Sequence, residues 1–202
     1  MPVCCNGPCP RLSWSPPRRP KRGRVSGIGG KPKSRSTEVG GYVEGGHSRR
    51  VSRLALAIGR ELGMSENDLE ELEYAALMHD IGQLSLRDPI PGGATVLVSP
   101  DDQRRIAELG AAVIRQAGVL DQVADIVRQQ SEPARGQEPG PPVASRIIRA
   151  ANAFDDLVGS SADRDRASAA LERLRLDTAS EYDPGVIEAL SKVVGRRALS
   201  RA

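Results

Sequence analysis

Aromatic side chains are almost missing from this 202-residue chain: one Phe, one Trp and three Tyr make up 2% of it. Sandwiches and barrels draw on such side chains, so a core built from Leu, Ile, Val and Ala points to helix packed on helix, and the expected fold class is all-α. Hydrophobic residues, at 39%, suffice for one core in a chain of this length. No run approaches the roughly 18 apolar residues of a membrane span, and the N-terminus lacks the apolar segment of a signal peptide. A soluble, cytoplasmic chain is therefore expected. Cysteine is confined to Cys4, Cys5 and Cys9. That odd set has no neighbouring histidine to complete a zinc site, so reduced thiols are expected there. Histidine is scarcer still, with only His47 and His79.

The net charge of +3 is unevenly spread. Residues 1–41 hold nine Lys and Arg (Arg11, Arg18, Arg19, Lys21, Arg22, Arg24, Lys31, Lys33, Arg35) against Glu38 alone, which gives this arm +8 and leaves the remainder at −5. Rich in Pro, Gly and Ser and without periodicity, the arm is expected to be disordered. It could meet nucleic acid or acidic lipid through charge, but a solvated tail is the plainer reading. Trp14 is too isolated for a stacking role. The acidic remainder lacks aromatic platforms for bases, so specific nucleic-acid binding is not expected. The expected organisation is a basic arm over 1–41, a helical domain over 42–195 and a short tail over 196–202.

From about Tyr42 the helices can be read with their stops. "HSRRVSRLALAIGREL" sets His47, Val51, Leu54, Ala55, Ile58 and Leu62 on one face, with Gly63 as the stop. Ser65 with Asp68 resembles a capping box, opening a helix whose inward stripe is Leu69, Leu72, Ala76 and His79. Ser99-Pro100-Asp101-Asp102 combines a cap, a first-turn proline and two acids at the positive end of the dipole. That helix should stop at Gly118. Another is expected over 119–130, then about 143–158, 163–175 and 184–194, for a bundle of six or seven. Residues 80–98 and "EPARGQEPGPP" read as connections.

Both histidines thus fall on inward stripes. A lone histidine on an apolar face is usually a hydrogen-bonded core residue. Here His79 is followed by Asp80 and then Gly82, which would let the chain turn and leave both side chains aimed at one point. Imidazole and carboxylate are metal ligands, and a cation offsets the cost of burying them.

His47, "HD" at 79–80 in "ALMHDIGQL" and "RIIRAANAFDDL" at 146–157 resemble the HD superfamily of metal-dependent phosphohydrolases, and more narrowly the HD-GYP branch, which hydrolyses cyclic dinucleotides. The resemblance implies a helical bundle with a metal held by His47, His79 and Asp80 and completed by a later aspartate. It also implies a phosphate-ester or nucleotide ligand, and a signalling protein partner is expected if the domain serves regulation. The chain departs from the pattern at several positions. The phosphate-contacting lysine is Gln83, a further histidine falls at Ile106, and paired histidines align with Gln129 and Gln130. The closing aspartate aligns with Asn152, ahead of Asp155 and Asp156. The expectation is one divalent ion (Fe, Mn, Zn or Mg) on His47, His79, Asp80 and the Asn152 amide oxygen. Asp80 would also orient the attacking water, Gln83 would replace the lysine, and Arg50 or Arg146 would steady phosphate. Two function classes follow: an eroded cyclic-dinucleotide phosphodiesterase, or a catalytically inactive regulatory module that binds a protein or nucleotide.

Overall fold

Seven α-helices and one short 3-10 helix account for the secondary structure of the described residues: α1 His47–Glu61, α2 Glu66–Met78, the 3-10 helix Ile81–Ser85, α3 Pro100–Arg115, α4 Asp121–Gln129, α5 Val143–Val158, α6 Arg164–Leu176 and α7 Pro184–Leu199. The computed structural model describes residues 46–86, 98–135, 139–178 and 180–199. The basic arm, its cysteines and Trp14 lie outside them, as do parts of both expected connections. No strand occurs among the described residues, in keeping with the all-α expectation.

The helix ends follow the local chemistry. Ser65 Oγ accepts from the Asp68 amide and Ser99 Oγ from the Asp102 amide, both at 3.2 Å, each satisfying an orphan donor of the first turn. α1 ends at the expected stop, but Leu62 is exposed at its C-cap instead of closing the apolar stripe. Residues 80–86 were expected to be a plain connection, yet they contain the 3-10 helix. α7 runs on to Leu199 and does not stop near 194: Gly195 is not at positive φ, and Arg196 pairs with Glu61 of α1.

The near-absence of aromatics decides how the helices meet. Ala55, Ala75, Ala76, Ala124, Ala150 and Ala151 are all fully buried, so helix axes approach closely, and Ile58, Leu72, Ile147, Ile148 and Leu190 fill the space between. α1 packs on α2, α5 and α7, α3 packs on α4 and the 3-10 helix, and α5 also carries α6. The single phenylalanine, Phe154, is buried on α5.

Gly82 owes its role to this packing. It does not adopt positive φ, so it is not the hinge that its position after Asp80 suggests. A Cβ on it would lie 2.0 Å from the Ile106 carbonyl oxygen and 2.7 Å from the Gly110 amide nitrogen. The 3-10 helix is pressed onto α3 because neither Gly82 nor Gly110 has a side chain. Gly82→Ala should therefore destabilise the protein by about 2–3 kcal/mol through forced backbone displacement, read as a lower denaturation midpoint. An unchanged midpoint would contradict this packing.

Candidate metal centre

Three elements bring His47, His79 and Asp80 together. His47 opens α1 directly after Gly46, whose φ of +86° suits glycine and sets the angle at which the chain enters the helix. His79 is the C-cap of α2, and Asp80 precedes the 3-10 helix. All three are buried, with relative exposures of 3%, 0% and 4%.

Each imidazole is fixed through its Nδ1. His79 Nδ1 lies 2.8 Å from the Ala76 carbonyl oxygen, one turn back on α2. His47 Nδ1 lies 2.7 Å from Asp155 Oδ2 on α5. Carbonyl and carboxylate oxygens only accept, so in both rings Nδ1 carries a proton, and Nε2 is the nitrogen left to face a cation once its own proton is displaced. The two Nε2 atoms are 3.3 Å apart, and Asp80 Oδ2 is 3.1 Å from His79 Nε2 and 3.5 Å from His47 Nε2. Asp80 Oδ2 makes no well-aligned hydrogen bond within this triangle. The point equidistant from three atoms so spaced is about 1.9 Å from each, so a slight rise from their plane gives roughly 2.0–2.2 Å, the bond length of zinc-like ions to nitrogen and oxygen. These residues fit a divalent cation.

Charge supports the same reading. Burial opposes a charged His47, but the carboxylates of Asp155, Asp80 and Asp156 more than offset it and raise its pKa from 6.5 to about 10. Burial opposes charge on His79 too, and Asp80 reverses the effect, moving it upward. Burial opposes ionisation of Asp80, yet the two imidazoles hold its carboxyl below the usual range. In the ion-free protein, His47 contributes stability fully below about pH 6.5 that is lost as pH rises through about 10. A cation must displace those protons, so its apparent affinity should rise with pH from 6 towards 9. Manganese titrations across that range test this, and affinity independent of pH would contradict it.

Asp155 is what the residue pattern did not reveal. Beyond His47 it holds Arg50, whose Nε and Nη2 donate to its two oxygens at 2.9 Å each. Burial disfavours its charge, but His47 and Arg50 pull its pKa down. Its one readable signal was its place three residues after Asn152 on the buried face of α5.

Asp80 and Asn152 line one cavity of about 440 Å³, together with Ile106, Gln130, Ser131 and Arg149. Gln83 is buried and does not line it. Gln130 Nε2 donates to the His79 carbonyl at 2.7 Å, bracing the ligand-bearing turn. Neither expected phosphate-steadying arginine lies in this lining. Arg50 is fixed on Asp155 and borders a different cavity, and Arg146 pairs with Asp183.

Known proteins give this arrangement a context. The chain is 26% identical over 164 residues to a cyclic di-GMP phosphodiesterase of Thermotoga maritima, covering 73% of this chain but only 44% of that protein. An HDG"Y"P protein from Bdellovibrio bacteriovorus superposes with a TM-score of 0.59 at 22% identity, over 74% of this chain and 51% of that one. The HD domain of the L. monocytogenes phosphodiesterase PgpH, in complex with cyclic-di-AMP, superposes at 0.51 and 18% identity, over 73% and 86%. These likenesses show the fold. No helix among the described residues is long and apolar enough to cross a membrane. With residues 42–186 matching the HD domain, the chain belongs to the HD domain family.

Proposed function

We propose that this chain is a phosphohydrolase-like HD domain that holds one divalent ion on His47, His79 and Asp80, binds a phosphate ester of the cyclic-dinucleotide class, and turns it over slowly. The observation that carries this reading is the convergence of three buried donor atoms within 3.5 Å of one another, with Asp80 also forming part of the wall of a ligand-sized cavity. When bound, a divalent ion lowers the pKa of a water and polarises a phosphoryl oxygen.

The protein's own groups do the rest. Asp155 and the Ala76 carbonyl hold the two imidazoles in their ligating tautomers. Asp80 accepts a hydrogen bond from the attacking water and orients it. Asn152 offers its amide oxygen as a fourth, uncharged ligand. The positions that would hold a second ion are Ile106, Gln129 and Gln130, and Gln130 is committed to bracing His79. Loss of that charge slows phosphoryl transfer. A relative named for cyclic di-GMP and a structure holding cyclic-di-AMP support the ligand class.

Burial of Gln83 and the bracing role of Gln130 also suit a second reading, a regulatory module that binds nucleotide or a signalling protein without cleavage. Cyclic di-GMP titrated into manganese-loaded protein, with hydrolysis followed in parallel, separates the two. Binding with slow hydrolysis is expected, and Asn152→Asp should tighten the ion and raise the rate on the order of tenfold or more by restoring an ionised ligand. Binding without any hydrolysis, even in Asn152→Asp, would favour the regulatory module. Brisk turnover by the unaltered protein would show that the site is not eroded, and absence of binding would end the nucleotide reading.

A further inference from the structure

Gln83 is buried outside the cavity, so the ligand's negative charge must meet something else there. Three arginines line the cavity, but Arg104 and Arg173 have side chains 44% and 71% exposed, where water screens them, whereas Arg149 is 15% exposed. Arg149 is also held in place. Its Nη1 donates to the Ser131 carbonyl at 2.7 Å and, at 3.4 Å, to the Gln130 carbonyl. Its Nη2 donates to Glu181, and its guanidinium lies 5.9 Å from the centre of the Tyr182 ring. Arg149 Nε and Ser131 Oγ are among the buried polar atoms that make no hydrogen bond within the described residues, and both residues line the cavity. A buried donor left unsatisfied is costly unless a ligand completes it.

We propose that Arg149 and Ser131 form the phosphate-binding subsite of this cavity; the inference rests on the functional reading above and names the residues that hold the ligand's anionic oxygens. The segment Gln130–Ser131 ties the subsite to the metal centre: the Gln130 amide grips the His79 carbonyl while both residues' own carbonyls grip Arg149. A phosphate oxygen accepts from the guanidinium and from the Ser131 hydroxyl, and competes with Glu181, whose side chain is 45% exposed and can turn to water. Glu181 therefore weakens the subsite by sharing its cation.

The full chain loaded with manganese is titrated with cyclic di-GMP and with inorganic phosphate. Arg149→Gln should weaken both about tenfold to a hundredfold with one ion per chain retained, and Ser131→Ala should weaken both by several-fold. Glu181→Gln should tighten both by several-fold, although a merely structural ion pair would leave affinity unchanged. Unaltered affinity in Arg149→Gln overturns the inference while leaving the functional reading intact. If Arg149→Gln does not fold, unchanged affinity in both Glu181→Gln and Ser131→Ala overturns it instead. Failure of the unaltered protein to bind either probe overturns the functional reading and this inference together.

Discussion

His79→Ala is expected to abolish divalent-ion binding. The imidazole is fully buried and supplies one of three donor atoms, and its Nδ1 proton is already committed to the Ala76 carbonyl. Losing a group that merely supports a ligand costs about ten- to a hundredfold in metal affinity, so losing the ligand itself should exceed a hundredfold. Equilibrium dialysis against manganese or zinc measures this. The helical circular dichroism signal should persist, because α2 keeps its Ser65 cap and its Leu69–Leu72–Ala76 stripe. A folded His79→Ala protein that binds the ion as tightly as its parent would remove His79 from the ligand set.

Asp155→Ala should weaken both metal affinity and stability. The carboxylate orients His47 and holds the Arg50 guanidinium through two well-aligned bonds. Without it His47 can rotate or change tautomer, and metal affinity should fall about ten- to a hundredfold. Breaking a buried pair typically costs about 3–5 kcal/mol. Arg50 is 20% exposed and can partly rehydrate, so the loss should be nearer 2–3 kcal/mol. The depressed pKa of Asp155 means that its contribution is present above about pH 3.8 and lost as pH falls through its lower folded value. Asp155→Asn keeps an acceptor for His47 without the charge and should fall between the two. Chemical denaturation and manganese titration read the two effects separately. A variant that loses stability but keeps full affinity would show that Asp155 serves Arg50 alone.

Helix ends were legible in the sequence because the groups that make them are neighbours along the chain. Ser65 with Asp68, Ser99 with Pro100 and Asp102, and Gly63 and Gly118 at φ of +74° and +71° all act within one turn. The inward positions of His47 and His79 could be read for the same reason, since helical spacing places them on the stripes of α1 and α2. The site's supports could not. Asp155 and His47 are 108 positions apart, Gln130 and His79 are 51 apart, and nothing local pairs them. Gly82 looked like a hinge because its sequence neighbourhood is a turn, whereas its constraint comes from α3 pressing on it. Arg149 reads from sequence like any helix-face arginine. Only the return of the segments around Ser131 and Glu181 encloses it.

One divalent ion per chain should sit on His47, His79 and Asp80, and elemental analysis of the purified protein after saturation with manganese and removal of free ion measures it. One equivalent per chain, absent from His79→Ala, is the expected content. Two equivalents, or none in the unaltered protein, would contradict it.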